Sequence, residues 1–373
     1  MPVAIDSEDA FLSSPDPLLE SNKPSLSALA EQRLPIVIPW HPEQVIYPGQ
    51  LFHSRLSRTQ NPWSKISPFI DAEQEQETGR VPRRMVYLSA DGGTSGSFKS
   101  TKSQSTTAKE DHESYGFTAT VDLGFCSASG SLQYDRHLST NNDDVKTSVR
   151  SSYRCGSVLL RQAPELTTEA QIELKYGDGL EGFEDRFGDY YLFGYNIGGD
   201  NTMMVSTNSQ SMSLAERRTL SVKIESFFFD IEFTTHFDSA EASASASLRV
   251  TGYDSLLHTV IDQSQSWAAS ATADFDRMQR DTAKMRNLGS TLPTRVEKKA
   301  EEVGLLLSPT AVFGDRAVKV NNSPYTPIAA LERDVDESLC ERLVKSGLVV
   351  EMVLIPVRSL RSVQYWITED DII

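Results

Sequence analysis

The chain has 373 residues, 39% hydrophobic and 24% charged, with a formal net charge of −16. That balance supports a globular core. The acidity excludes a nucleic-acid partner and any attraction to anionic lipid headgroups through charge alone. No run approaches the roughly 18 consecutive apolar residues of a transmembrane helix, and Met1–Asp9 has no basic region followed by an apolar stretch. A cleavable signal peptide is therefore not expected. The expected location is the cytoplasm, or release without a signal peptide, with membrane association only after assembly. Cys126, Cys155 and Cys340 are sparse, odd in number and without metal-like spacing, and read as reduced or incidental thiols.

Residues 1–80 are rich in Pro, Ser, Gln and Glu, with little periodicity outside 34–40. They read as an extended or partly disordered arm, with Trp40, Tyr47, Phe52, Trp63 and Phe69 as candidate anchors onto a domain spanning 81–373. Residues 85–90 form a short strand candidate. Residues 91–109, rich in Gly, Ser, Thr and Lys, read as a flexible loop. The run Gly92–Ser100 is not a phosphate loop, because Phe98 stands where that motif needs glycine before Lys99.

Residues 115–125 alternate strictly, with Tyr115, Phe117, Ala119, Val121, Leu123 and Phe125 on one face. Period two over this length predicts a strand. The phase slips by one residue before 128–134, which requires a bulge or bend. Residues 139–144 signal a turn, and 145–155 alternate again through Val145, Thr147, Val149, Tyr153 and Cys155. Residues 166–186 read as a helix opened by a Thr cap. Residues 189–205 read as a long strand bent at glycines, and 220–250 as β-like, through Phe227, Phe229, Ile231 and Phe233 and then an Ala/Ser alternation ending at Leu248 and Val250. The pattern over 256–307 is helical, with Trp267, Ala271, Phe275 and Met278 on one face. A last helix is expected over 334–345 and a last buried strand over 348–355.

The most distinctive run is Phe187-Gly188-Asp189-Tyr190-Tyr191, followed by Gly194 and the pair Gly198-Gly199. It resembles the signature of the MACPF (membrane attack complex/perforin) superfamily, a Tyr/Phe-Gly-Thr-His-Tyr/Phe run and then a Gly-Gly pair. Asp189-Tyr190 replaces the family's Thr-His, so the resemblance is to a divergent branch, most like the short MACPF-like proteins of fungi. It covers about residues 85–360. It implies an α+β fold: a bent, twisted, antiparallel four-stranded sheet flanked by helical clusters that unwind into transmembrane hairpins on assembly. The glycines have a physical reason, since a sharply bent strand needs residues without Cβ where its backbone crowds a neighbour. Phe187, Gly188, Tyr190, Tyr191, Gly194, Gly198 and Gly199 are the expected signature and hinge.

A membrane-spanning strand needs about 9–11 residues, apolar toward lipid and polar toward a lumen. The dyad segments on either side of the signature have that pattern. Phe117, Val121, Leu123, Phe125, Val145, Val149, Phe229, Ile231, Phe233 and Leu248 are the candidate membrane-inserting residues, with Lys146, Arg150 and Arg154 on the opposite parity. Many copies must pair into a ring or arc for every backbone group to find a partner in hydrocarbon. The expected partners are therefore copies of this chain and a lipid membrane. The alternative is a non-lytic interaction protein that binds another protein through the same fold. None of the six histidines forms an i, i+4 metal pair, and no Cys-x-x-Cys or Gly-x-Ser-x-Gly elbow occurs. No catalytic residue, metal or cofactor is expected, and the chain does not read as an enzyme.

Overall fold

The computed structural model of the chain describes residues 30–39, 45–56, 61–70, 85–89, 97–104, 145–207, 224, 247–266, 273–305 and 332–367. Its strands are β1 (Ile36–Pro39), β2 (Leu51–Phe52), β3 (Met85–Ser89), β4 (Ser97–Gln104), β5 (Val145–Leu160), β6 (Tyr190–Thr207), β7 (Ser247–Asp254), β8 (Thr259–Ser266), β9 (Glu332–Val335) and β10 (Val349–Pro356). The helices are α1 (Thr168–Tyr176), α2 (Gly179–Phe187), α3 (Ala273–Ser290), α4 (Leu292–Glu302), α5 (Glu337–Ser346) and the short α6 (Arg361–Gln364). The ten strands form one antiparallel sheet, so the class is α+β. Its main path runs β1-β10-β6-β5-β3-β9. Within it, four neighbours lie side by side in the order β4-β5-β6-β7, with β8 on the outer edge of β7.

The core lies around the first half of β6. Tyr190, Tyr195, Phe52, Phe183, Phe187 and Ile38 are its largest fully enclosed side chains. Both faces of β6 are covered, which explains why this strand carries aromatics on both parities. Each such side chain contributes roughly 1.5–3 kcal/mol through burial. Segments of the first 80 residues belong to this core. β1 pairs with β10, β2 pairs with β6, and Trp63 stands edge-on to Phe52 at 4.9 Å. Phe69 packs edge-on to Tyr191 at 6.0 Å.

Local sequence explains the ends of two helices. Thr167 caps α1 by accepting from the Ala170 amide, and Asp336 caps α5 by accepting from the Leu339 amide at 2.7 Å. α5 ends at Gly347, whose φ of 79° suits a left-handed cap.

Four expectations are corrected. The helix expected over 166–186 is two helices, α1 and α2, separated at Gly177 and Asp178. The loop expected over 91–109 contains β4, a strand with one large apolar residue, whose order comes from eight residues paired with β5 rather than from a hydrophobic face. The helix expected from 256 starts only at 273. Before it, β7 turns back into β8, where the β-branched Thr259, Val260 and Ile261 favour an extended chain. Ile224, placed on a strand by its alternation with Leu220 and Val222, is helical and buried. The segments 115–134, 139–144 and 225–246 lie outside the described residues.

Candidate functional site

β4 and β5 are adjacent antiparallel strands connected by residues 105–144, and β6 and β7 are adjacent antiparallel strands connected by residues 208–246. The register places all four open ends at one edge of the sheet. Gln104 pairs with Thr147, Val145 with Thr207, and Thr207 with Leu248. Both sequence segments with membrane-like alternation therefore leave and re-enter the sheet at the same edge.

Among the candidate membrane-inserting residues, Val145, Val149 and Leu248 are described. Val145 and Leu248 flank Thr207 in one register row, and Val149 pairs with Met203. Leu248 is fully buried in this state. Phe117, Val121, Leu123, Phe125, Phe229, Ile231 and Phe233 lie outside the described residues.

The two faces of this half-sheet differ. One face carries α3 and α4. Tyr153 donates its hydroxyl to Glu297 on α4 at 2.6 Å, and Asn201 donates to the Met285 sulfur on α3 at 3.1 Å. On the other face, register aligns Lys146 with Ser206, Ser148 with Met204 and Thr251, and Arg150 with Thr202. This face is polar yet buried: Lys146 is 5% exposed and Arg150 8%. Enclosing such groups yields little hydrophobic stabilisation and carries a desolvation cost.

The glycine pair sits where these faces meet the aromatic core. A Cβ on Gly198 would overlap the Tyr153 carbonyl oxygen of the neighbouring strand. A Cβ on Gly199 would stand 2.8 Å from Val296 Cγ2 and 3.0 Å from Leu292 Cδ1 of α4. Backbone and helix thus approach this strand to distances that only glycine permits. The ladders are irregular on both sides. β5 shifts register between Arg154 and Gly156, and β10 shifts between Val349 and Glu351 and again opposite Gly194. Such bulges bend a strand and increase its twist.

An ionic network spans the same level. Arg154 donates to Asp200 at 3.0 and 3.1 Å and to Glu351 on β10 at 2.7 Å. Ser152 donates to Asp200 at 2.7 Å, and Asn196 donates to Glu351 at 2.8 Å. Burial works to raise the Asp200 carboxyl. The Arg154 and Arg150 guanidiniums outweigh it and hold the carboxyl well below the usual carboxylate range. A second pair locks the α3–α4 junction to the end of β7. Arg295 donates to both Asp254 oxygens at 2.7 and 2.8 Å, and Asp254 is 0% exposed.

The remaining signature residues are placed at the start of β6. Phe187 ends α2 against Phe183, with ring centroids 4.9 Å apart. Gly188 has φ of 123°, and its Cα faces the Phe52 backbone. Tyr190 and Tyr191 pair with Phe52 and Leu51 of β2. Asp189, the departure from the family pattern, accepts from the Ser54 amide at 2.7 Å and from the Ser54 hydroxyl. Sequence reasoning missed Tyr153, Asp200, Asp254, Arg295, Glu297 and Glu351. Their partners lie 41 to 197 positions away, and no local pattern marks such pairs.

Among the described residues, no group of three or more His, Cys, Asp or Glu is placed to hold a metal ion. No described helix is long and apolar enough to cross a membrane, which says nothing about crossing by strands.

No protein-family model matches the chain, and no curated protein matches its sequence. Solved structures do show similarity. Wild-type pneumolysin aligns with a TM-score of 0.32 and 8% identity over 67% of this chain and 56% of its own. The cytotoxin suilysin from Streptococcus suis aligns with a TM-score of 0.30 and 10% identity over 69% of this chain and 57% of its own. A MAC/Perforin-domain protein from Bacteroides thetaiotaomicron aligns with a TM-score of 0.27 and 14% identity over 64% of this chain and 54% of its own. The matched region is little more than half the length of each of these structures.

Proposed function

We propose that this chain is a MACPF-like, membrane-perturbing protein of the divergent branch suggested by its signature, folded as a monomer and active as a ring or arc of copies. It acts by physical insertion and not as an enzyme. In this reading, residues 105–144 and 208–246 lengthen the β4–β5 and β6–β7 hairpins into the bilayer. The observation that carries it is the common edge at which both hairpins open, in continuous register. Extending a formed ladder avoids nucleating a new one, and pairing between copies satisfies the backbone in hydrocarbon.

The polar face supports the same reading. Lys146, Ser148, Arg150, Thr202, Ser206 and Thr251 are enclosed now, but their chemistry suits water. With α3 and α4 on the opposite face, ring closure turns the polar face toward the lumen once it is uncovered. Straightening at Gly198 and Gly199 requires α4 to move off Gly199, so the Tyr153–Glu297 bond and the Arg295–Asp254 pair act as latches.

Dye release from liposomes, combined with negative-stain electron microscopy, tests this directly. Release accompanied by rings or arcs is expected. Intact vesicles across varied lipids and pH, with only monomers on the grid, would overturn it. A stable complex with another protein and no membrane association would favour the non-lytic alternative.

A further inference from the structure

At the signature end of β6, opposite the edge where the hairpins open, lies a cleft of about 190 Å³. Its charged lining is Arg33, Arg55, Arg358, Glu31, Glu184 and Asp189. Nothing in the membrane reading uses it. Two of these groups are already engaged elsewhere: Asp189 holds the Ser54 turn, and Arg55 turns outward to Asp185 at 3.2 Å. Among the described residues, Arg33, Arg358 and Glu184 make no ion pair within 4.0 Å, although all three line the same small space.

Opposite charges sharing a cleft normally collapse onto one another when nothing keeps them apart. Here the scaffold does so. Arg33 sits at φ of 54°, where its amide donates to the Ala30 carbonyl at 2.8 Å and closes a turn. A left-handed arginine is uncommon, and such conformations collect at binding sites. Arg358 follows the end of β10, and Glu184 is on α2, so three separate elements fix the three groups. The space between them suits a guest that brings a partner for each charge.

We propose that this cleft binds a small zwitterion, with its oxyanion held by Arg33 and Arg358 and its ammonium by Glu184. The charge balance selects a zwitterion over a simple anion. With Arg55 and Asp189 engaged, Arg33 and Arg358 share the lining with Glu31 and Glu184, and a lone anion would answer the arginines alone. Guanidiniums hold phosphate or carboxylate oxygens through paired N–H donors. Burial pushes the Glu184 carboxyl up, against the lowering effect of Arg33. An ammonium at Glu184 restores its ionised form, so binding weakens as pH falls through the raised value.

The test is isothermal titration calorimetry on the full chain at constant ionic strength, with phosphoethanolamine, inorganic phosphate and ethanolamine as separate probes. Phosphoethanolamine is expected to bind one per chain, at least about tenfold more tightly than either half, a difference of about 1.4 kcal/mol. Glu184→Gln and Arg358→Ala should each weaken it at least about tenfold, with thermal unfolding of the free protein confirming that both variants fold. Arg33→Ala serves in place of any variant that does not fold. No binding of any probe, or equal affinity for phosphate and phosphoethanolamine with no effect of Glu184→Gln, overturns the assignment. Phosphatidylethanolamine vesicles identify the source. Binding that soluble phosphoethanolamine displaces points to a lipid headgroup, and binding of the soluble probe alone points to a free small molecule. The assignment does not depend on pore formation.

Discussion

Gly199 lies directly under Val296, close enough that a Cβ on the glycine would stand 2.8 Å from Val296 Cγ2. The fit between β6 and α4 is therefore set by the absence of one methyl group. Gly199→Ala should destabilise the fold by about 1–3 kcal/mol through overpacking. Val296→Ala on its own should cost a similar amount by leaving a void, about 0.5–3 kcal/mol. The double variant should recover part of the loss, because the new methyl fills the space that Val296 vacates. Denaturant midpoints for the four proteins give the coupling directly. Additive losses would show that α4 does not rest on Gly199.

Gly198 makes a different prediction. Its missing Cβ faces the Tyr153 carbonyl oxygen, which is backbone and cannot rotate away. The Gly198 amide is also engaged, donating to Leu348 O at 2.8 Å. Gly198→Ala should therefore separate β5 from β6 and cost more than Gly199→Ala, with no side-chain substitution able to compensate. Equal stability of the two alanine variants, measured by thermal unfolding, would remove this distinction.

These two positions also show how much was legible in the sequence. The glycines announced a strand under close approach and placed β6, alternation placed the start of β5, and a last apolar run placed β10. What approaches each glycine was not readable. Val296 lies 97 positions from Gly199 (296 − 199) and Tyr153 lies 45 from Gly198 (198 − 153), and only the folded topology brings them together. β4 was missed because its order comes from backbone pairing, and β8 because an edge strand needs no alternating face. The pairs Arg154–Asp200 and Arg295–Asp254 were invisible for a related reason: an isolated charged residue looks like surface until its partner is known.

Tyr153 and Glu297 offer a way to separate stability from release. The hydroxyl donates to the carboxylate at 2.6 Å, tying β5 to α4. Tyr153→Phe keeps the ring in place and removes only the bond, at a cost of about 0.5–1.5 kcal/mol. If α4 must lift before the hairpins extend, this variant should release liposome dye faster than the parent at equal protein concentration. A slower or unchanged rate in a protein that still lyses vesicles would argue against α4 as the latch.

Arg295 and Asp254 should respond more severely. Asp254 is fully enclosed and accepts from Arg295, from Asn201 at 2.9 Å and from the Leu257 amide at 3.1 Å. Arg295→Ala leaves that carboxylate without its counter-charge and should cost about 3–5 kcal/mol. Arg295→Ala with Asp254→Asn should be milder, because the remaining amide is neutral. Urea unfolding of the single and double variants decides this. A single variant costing less than the double would show that the pair contributes little.

The pH response follows from two histidines. Burial lowers the pKa of His258 from its ordinary value of 6.5, with Asp254 opposing and Lys299 assisting. Burial also lowers His53, opposed by Asp189 and Asp185. A histidine whose folded pKa is lowered binds its proton more weakly in the native state than in the unfolded chain. Stability is then complete above 6.5 and declines as pH falls from 6.5 through the lowered folded values. Glu184 acts in the opposite sense, since its raised carboxyl takes up a proton more readily when folded and gains relative stability as pH falls. The Asp200 contribution persists until far more acidic conditions, because its folded pKa is depressed. Denaturant midpoints from about pH 7.5 down to about pH 5.5 should therefore fall. His258→Asn should flatten that slope, since asparagine tolerates the residue's φ of 48° without carrying a titrating group. A variant slope as steep as the parent's would place the pH response elsewhere.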